Sequence, residues 1–157
     1  MDIFGLSNIY IDSKLRTICH NYLGIYSSDN IPSSLSSSNG TLICNLSPQG
    51  TIGSHFITII LAPKAVYYID SLGRSCSNST IKNFLKMTNR PIFFQSEPMQ
   101  LPHSSYCGFY CMLVVTMYAL KNEWRNPFRQ KNVNNDLKCL FLLSMIIREL
   151  RNTRLDP

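Results

Sequence analysis

The sequence predicts one α+β domain over residues 1–157, with a central mixed or antiparallel sheet packed by helices. Three observations lead to this fold class. Runs of β-branched and aromatic residues, two of them separated only by a Pro-Lys turn, predict strands in the first two thirds of the chain. The segment 107–120 is apolar almost all round, as a helix buried at the centre of a domain should be. A chain of 157 residues with 45% apolar residues is long enough for one hydrophobic core.

The predicted elements follow from periodicity and from turn residues between periodic segments. The first part of the chain is expected to contain a helix at 12–22, a Ser-rich loop at 27–40, and strands at 41–46, 55–61 and 65–70. The second part is expected to contain a helix at 80–88, a strand at 90–96, a polar loop at 97–106, and helices at 107–120 and 136–151. Asn135 is placed to cap the last helix. This order of elements is that of an α+β domain.

Targeting and membrane-spanning segments are not predicted. The N-terminal stretch MDIFGLSNIYIDSK has no basic flank followed by an apolar run, so it does not read as a signal peptide. The longest apolar run, 107–120, is shorter than the about 20 residues that cross a bilayer. The six cysteines form no compact framework and are interpreted as reduced thiols of a soluble intracellular protein.

The charge of the chain is unevenly distributed. The formal net charge is +6, and the chain after residue 120 has four acidic residues against eight basic ones: Lys121, Arg125, Arg129, Lys131, Lys138, Arg148, Arg151 and Arg154. This bias favours contact with nucleic acid or with an acidic partner. The alternative is a solvated helical surface without a partner.

One cysteine stands where a polar loop enters the apolar helix. In the segment MQLPHSSYCGFYCMLVV, Cys107 is expected in the first turn of the buried helix. A cysteine acts as a nucleophile in its thiolate form, which a helix N-terminus or a nearby imidazolium stabilises. Cys107 is therefore a candidate nucleophile, whereas Cys111, fully inside the helix, is interpreted as a core residue.

His55 is the histidine best placed to assist it. If the hairpin turns through residues 62–65 with an even loop, the numbers of paired residues sum to 127 and Ile57 faces Asp70. His55 then lies on the same sheet face, one diagonal step from Asp70 and within reach of its side chain. Asp70 can accept the imidazole N–H and orient the ring toward a thiol. His20 and His103 are less firmly anchored, in a helix end and a loop.

An oxyanion hole would complete the site. The backbone N–H of Cys107 is unsatisfied at the helix start and can serve as one donor. The side-chain amide of Gln100 or of Gln95 could serve as the other. Gly108 would let a substrate backbone pass close to the sulfur, because glycine has no side chain.

At these residues the sequence resembles a known family. QLPHSSYCGFYC resembles the active-site segment of the adenovirus-type maturation protease, and it matches that pattern without a gap at Gln100, Pro102, Ser104, Cys107, Gly108 and Cys111. The match selects Gln100 over Gln95 as the oxyanion residue. The broader relatives are the ubiquitin-like-protein proteases, in which an Asp usually precedes the nucleophile. Tyr106 stands there in this chain, which favours the viral branch.

Three other segments are similar to the same family. GSHFITII is similar to its Gly-x-His-aromatic strand, which implies a general-base role for His55 and a substrate cleft at Gly53 and Phe56, with Gly108. YYIDSLG is similar to its strand that ends in an acid, here Asp70, with Gly73 following. YLGIYSSDNIP is similar to its Gly-x-Tyr-x-x-x-x-Pro segment, with extra residues. The resemblance covers roughly residues 20–120.

The resemblance implies a papain-like cysteine protease of the adenain and ubiquitin-like-protease type. It would cleave viral precursor proteins after glycine through His55, Asp70, Cys107 and Gln100, without a metal; a monomer is the default expectation for a chain of this size. Members of the family are activated by DNA and by a viral peptide, and they act in virions and infected cells, including the nucleus. A DNA activator would contact the basic C-terminal third. The chain has no cysteine between Cys76 and Cys107, where relatives carry the one that bonds to the peptide.

Three alternatives stand beside this interpretation. An enzyme of the same fold could remove ubiquitin or a related protein from conjugates. A basic nucleic-acid-binding structural protein would use the cysteines only as core residues and would bind in a salt-sensitive way. A zinc site at His103, Cys107 and Cys111 has helical spacing but lacks an obvious fourth ligand.

Overall fold

The computed structural model describes residues 6–50, 55–128 and 134–153. Within these ranges the chain forms, in order, α1 (Asn8–Ile18), β1 (Tyr22–Ser27), a 3-10 helix (Ser33–Ser37), β2 (Gly40–Asn45), β3 (Phe56–Ala62), β4 (Ala65–Ile69), α2 (Ser79–Met87), β5 (Ile92–Phe94), α3 (Cys107–Lys121) and α4 (Asn135–Asn152). None of the described helices is both long enough and apolar enough to cross a membrane.

The strands form one mixed sheet in the order β1-β2-β3-β4-β5. The central pairs β2–β3 and β3–β4 are antiparallel, whereas the outer pairs β1–β2 and β4–β5 are parallel. Helices pack on this sheet, so the α+β class with a mixed sheet is confirmed.

The register of the β3–β4 hairpin is as the sequence predicts. Thr58 pairs with Ile69 and Ala62 pairs with Ala65, so the residue numbers of each pair sum to 127. The connection is the Pro63–Lys64 turn, which leaves an even number of residues between the paired strands. His55 therefore lies one residue before β3, and Asp70 lies one residue after β4, at the same end of the hairpin.

Hydrophobic side chains cover both faces of the sheet. Successive residues of a strand point to opposite faces, and β3 divides accordingly, with Ile60 in one core cluster and Ile59 and Leu61 in the other. The first cluster lies against α1, α3 and α4, and the second lies against α2. Because β3 is buried on both faces, its continuous apolar run HFITIIL is the pattern expected of a central strand.

Helix α3 runs through the first core cluster. From Tyr110 to Thr116 every residue is buried, and the helix contacts β3, α1 and α4. The prediction of a central buried helix starting at Cys107 is therefore confirmed. Its position on the sheet is what brings Cys107 to the end of the hairpin that carries His55 and Asp70.

The predicted N-terminal helix at 12–22 is wrong in its bounds. Helix α1 begins at Asn8, because the Ser7 side chain accepts a hydrogen bond from the Tyr10 N–H and caps it, and the helix ends at Ile18. Strand β1, which includes Tyr22, was not predicted. Its parallel pairing with β2 is interrupted by an irregularity between Tyr22 and Gly24, where Gly24 has φ +122°. The Ser-rich loop also contains the short 3-10 helix.

The predicted cap of the last helix is displaced by one residue. Asn134 occupies the N-cap position of α4, and Asn135 is the first helical residue. The side chain of Asn135 is buried and donates to the Met99 carbonyl at 2.8 Å, so it contacts a distant loop.

A tight turn after Asp70 holds the loop that leads to Gln100. The Gly73 N–H donates to the Asp70 carbonyl at 2.9 Å, and Gly73 has φ +69°, in the left-handed region. A Cβ built on Gly73 would lie 2.8 Å from the Pro98 nitrogen and 2.9 Å from the Ser96 carbonyl oxygen. Both atoms belong to backbone, which cannot swing aside as a side chain can. Only glycine fits this close approach without displacing the loop.

We predict that Gly73→Ala lowers the free energy of unfolding by more than Gly50→Ala does. Gly50 also has a positive φ of +82°, but a Cβ there would have no neighbour within 4 Å. Gly50→Ala should therefore cost only the left-handed conformation, about 1–2 kcal/mol, and Gly73→Ala should add the collision with residues 96–98. Urea unfolding of both variants measures the difference. Equal losses of stability would show that the loop does not pack against this turn as described.

Candidate active site

The hairpin places an imidazole against a buried carboxylate. His55 Nε2 lies 2.7 Å from Asp70 Oδ1, and the Asp70 side chain is only 1% exposed. The Leu72 N–H donates to the same carboxylate oxygen at 2.8 Å, which fixes its position. Since Nε2 of the ring faces Asp70, Nδ1 is the nitrogen left to face a third group. The contact between His55 and Asp70 agrees with the hairpin register that the sequence predicts. The catalytic roles of these two residues remain predictions.

The third group is the thiol of Cys107, the first residue of α3. Its side chain interacts with His55 and with the backbone N–H groups of Phe56 and Gly108. Cys107 is partly exposed, whereas the chain's other five cysteines are buried. The site thus brings together a carboxylate, an imidazole hydrogen-bonded to it, and one partly exposed sulfur that interacts with the imidazole.

The surroundings of Cys107 favour its thiolate. Burial opposes the charge and raises the pKa of the thiol. The hydrogen bond and positive charge of His55, together with the N–H groups of Phe56 and Gly108, outweigh burial and lower the pKa of Cys107 below its ordinary value. The helix start contributes in the same direction, because its free N–H groups carry partial positive charge.

The same contacts favour the protonated form of His55. Burial alone would lower its pKa, but the hydrogen bonds to Asp70 and Cys107 and the charges of both groups raise the pKa of His55 above its ordinary value. The pKa of Cys107 is lowered and the pKa of His55 is raised. Between these two pKa values, the thiolate and the imidazolium are present together. Such a pair can attack an electrophile at neutral pH, where an ordinary thiol is mostly protonated.

Gln100 lies in the loop before α3 and is 1% exposed. Its Oε1 accepts the Ser71 hydroxyl at 2.6 Å, and its Nε2 donates to the Ser104 carbonyl at 2.6 Å. The N–H groups of Met99 and Gln100 both donate to the Ser71 carbonyl, at 2.8 and 2.9 Å. Ser71, the residue after Asp70, therefore holds the loop that carries Gln100. Ser104 accepts only one of the two hydrogens on Gln100 Nε2, which leaves the other for a second acceptor.

Three other predicted site residues have different surroundings. A Cβ on Gly108 would lie 3.1 Å from Ile11 Cδ1 and 3.3 Å from Leu6 Cβ, so the absent side chain gives α1 room to pack on α3. Phe56 contributes its N–H to Cys107, and its half-buried ring packs on the core. Gly53 lies outside the described residues. The substrate-cleft roles of these three residues remain predictions.

The alternative partners considered for Cys107 have other surroundings. His20 and His103 are both exposed in turns. Gln95 is engaged elsewhere, since its Oε1 accepts the Trp124 indole N–H at 3.1 Å. Cys111 is buried, and burial raises the pKa of its thiol well above the ordinary value. Among the described residues no group of three His, Cys, Asp or Glu side chains is arranged to hold a metal ion.

Sequence reasoning missed the contribution of α4. Asp136 accepts the Ser104 hydroxyl through Oδ2 at 2.8 Å and the Tyr110 hydroxyl through Oδ1 at 2.9 Å. With the bond from Asn135 to Met99, the start of α4 contacts the active-site loop on both sides of Gln100. From the sequence alone, Asp136 is recognisable only as an acidic residue in the first turn of a helix. Nothing in the sequence indicates its contacts with Ser104 and Tyr110.

Comparisons with known proteins support the fold. No family model matches the sequence, and no curated protein matches it. Among solved structures, the chain is similar to the crystal structure of the selenomethionine form of the ASFV pS273R protease, with a TM-score of 0.56 and 12% sequence identity. The alignment covers 92% of this chain and 67% of that chain. At this identity the likeness concerns the fold alone, which this chain shares with that protease, and it does not single out the adenovirus-type branch.

Proposed function

We propose that this chain is a cysteine endopeptidase, with Cys107 as nucleophile, His55 as acid and base, and Asp70 as the residue that orients His55. The observation that carries the proposal is the 2.7 Å hydrogen bond between Asp70 and His55, together with the interaction of His55 with Cys107. The cysteine lies at the start of a buried helix, in a fold shared with the ASFV pS273R protease. Further support comes from the six residues that match the adenovirus-type pattern: Gln100, Pro102, Ser104, Cys107, Gly108 and Cys111.

Acylation would begin with the Cys107 thiolate. Its Sγ forms a bond to the scissile carbonyl carbon, and the carbonyl π electrons move to the oxygen, giving a tetrahedral oxyanion. The backbone N–H of Cys107 and the second Nε2 hydrogen of Gln100 would donate to this oxygen. The C–N bond then breaks as His55 gives its proton to the leaving amine. The products of this step are a thioester on Cys107 and a free amine.

Deacylation would use the same residues in reverse. Neutral His55, still held by Asp70, takes a proton from water, and the hydroxyl oxygen attacks the thioester carbon. The second oxyanion collapses with cleavage of the C–S bond. The thiolate and the protonated imidazole are thereby restored. Every proton in this cycle moves between His55, water and substrate, so the proposed chemistry requires no metal.

The substrate class follows from the family resemblance. We propose cleavage after glycine in viral precursor proteins, in virus particles and infected cells, with the chain acting as a monomer. An isopeptidase that releases a ubiquitin-like protein from conjugates is the alternative within the same fold. The substrate tests below separate the two.

We predict that wild-type protein cleaves glycine-containing peptides and that Cys107→Ala and Cys107→Ser do not. Loss of the nucleophile removes the covalent route, so activity should fall by at least about 10³-fold. The measurement is mass spectrometry of a peptide library after incubation. Cys76→Ala is the matched control, because Cys76 belongs to the core cluster on the opposite face of the sheet, and it should retain cleavage.

Two other outcomes have definite meanings. Full cleavage by Cys107→Ala would contradict the proposal. Release of a ubiquitin-like protein from a C-terminal amide, with no cleavage in the peptide library, would replace the endopeptidase by the isopeptidase.

We further propose that DNA contacts the outer side of α4. Lys138, Arg148 and Arg151 are exposed, and the described residues give them no ion pair. The triple variant Lys138→Ala, Arg148→Ala, Arg151→Ala should weaken binding to duplex DNA and make the salt dependence of binding shallower, because fewer counterions are released. Fluorescence anisotropy over a range of NaCl concentrations tests this. An unchanged salt slope in the triple variant would contradict it.

A further inference from the structure

We infer that Asp136, at the start of α4, is a positioning residue that aims the Gln100 amide at the oxyanion. This inference rests on the proposed cysteine-protease function and adds to it a residue outside the four predicted ones. Asp136 does not touch the reacting atoms. It acts through Ser104, which lies between the carboxylate of α4 and the amide of Gln100.

The direction of the Gln100 amide is set at both of its ends. The Ser71 hydroxyl donates to Oε1 at 2.6 Å, and Nε2 donates to the Ser104 carbonyl at 2.6 Å. An amide nitrogen carries two hydrogens in a fixed plane. The bond to Ser104 takes one of them and thereby sets the direction of the other. The position of the Ser104 carbonyl therefore determines where the free N–H of Gln100 points.

Ser104 is in turn held by α4. Within its own loop it makes a turn, with its N–H donating to the Leu101 carbonyl at 3.0 Å. Its hydroxyl donates to Asp136 Oδ2 at 2.8 Å and receives the Tyr106 N–H at 3.3 Å. Hydrogen bonds to a carboxylate are about twice as strong as those between neutral groups. The bond to Asp136 is thus the strong link between this loop residue and the packed helices.

Asp136 itself has a fixed place in the core. Its other oxygen accepts the hydroxyl of Tyr110, a residue of α3 that is 1% exposed. The neighbouring Asn135 donates to the Met99 carbonyl at 2.8 Å. The start of α4 therefore fixes the loop at Met99 and at Ser104, on either side of Gln100, relative to the helix that begins at Cys107.

A purely structural role makes a different prediction. An acid in the first turn of a helix stabilises that helix through its dipole, and its loss would affect every reaction of Cys107 alike. A positioning role affects only reactions that pass through an oxyanion. Alkylation by iodoacetamide displaces iodide at a saturated carbon and forms no oxyanion. Acylation by p-nitrophenyl acetate forms one before p-nitrophenolate leaves.

The experiment compares both reactions of Cys107 in the full chain. The variants are Asp136→Ala, Asp136→Asn, Gln100→Ala and the double variant Gln100→Ala, Asp136→Ala. Ser144→Ala is the matched control, because Ser144 is an exposed residue of α4 whose hydroxyl donates to the Phe141 carbonyl of its own helix. Urea unfolding shows that each variant is folded at the assay temperature.

We expect Asp136→Ala to slow acylation by at least about tenfold, since loss of one oxyanion donor costs about 10²–10³ in rate. Alkylation should stay within about twofold of wild type. Asp136→Asn should recover part of the rate, because its amide can accept from Tyr110 and donate to the Ser104 hydroxyl. The double variant should acylate no more slowly than Gln100→Ala alone, because both changes remove the same interaction.

Three results would overturn the inference. They are acylation of Asp136→Ala at the wild-type rate, equal slowing of acylation and alkylation, and additive effects in the double variant. Failure of the proposed function is recognised separately. In that case wild-type Cys107 acylates no faster than a thiol in an unfolded peptide, and the inference falls together with the protease.

Discussion

The hydrogen bond between His55 and Asp70 is the interaction on which the candidate site depends. Its geometry is set by the register of the β3–β4 hairpin, which leaves the two residues at one end of the paired strands. A slip of one residue would turn His55 to the opposite face of the sheet. The buried apolar side chains on both faces of β3 oppose such a slip, because it would exchange the two core clusters. The packing of the core thus fixes the orientation of the imidazole.

The other half of the site comes from a different part of the chain. Helix α3 delivers Cys107, and the loop before it delivers Gln100, while the hairpin supplies the imidazole and the carboxylate. Two kinds of contact join the halves. Backbone of β3 contacts the thiol through the Phe56 N–H, and Ser71 holds both the backbone and the side chain of Gln100. The N–H groups of Phe56 and Gly108 and the positive charge of His55 favour the thiolate of Cys107, against the opposing effect of burial.

Much of this arrangement could be predicted because it follows from local patterns. Strands β3 and β4 and helix α3 are strongly apolar, and a two-residue turn sets the register from which the contact between His55 and Asp70 follows. Strand β1 was missed, because its segment YLGIYS continues the apolar spacing of the preceding helix and contains a glycine. The contacts of Asp136 join residues 32 and 26 positions apart, and hydrogen bonds of such separation leave no periodic trace. For Gly108, the pattern indicated a requirement for glycine, and the structure relates that requirement to the packing of α1.

The most direct test of the central claim is the pH dependence of Cys107 alkylation by iodoacetamide, in wild type and in His55→Ala, with labelled sites identified by mass spectrometry. The other five cysteines are buried and should label slowly. The wild-type rate should rise at a lower pH than that of an ordinary thiol, because contact with His55 lowers the pKa of the Cys107 thiol. In His55→Ala burial is no longer outweighed, so the rate at pH 7 should fall and rise only near the ordinary thiol pKa of about 8.5 or above. Identical profiles for the two proteins, with the midpoint of an ordinary thiol, would contradict a thiolate–imidazolium pair and with it the account of this site.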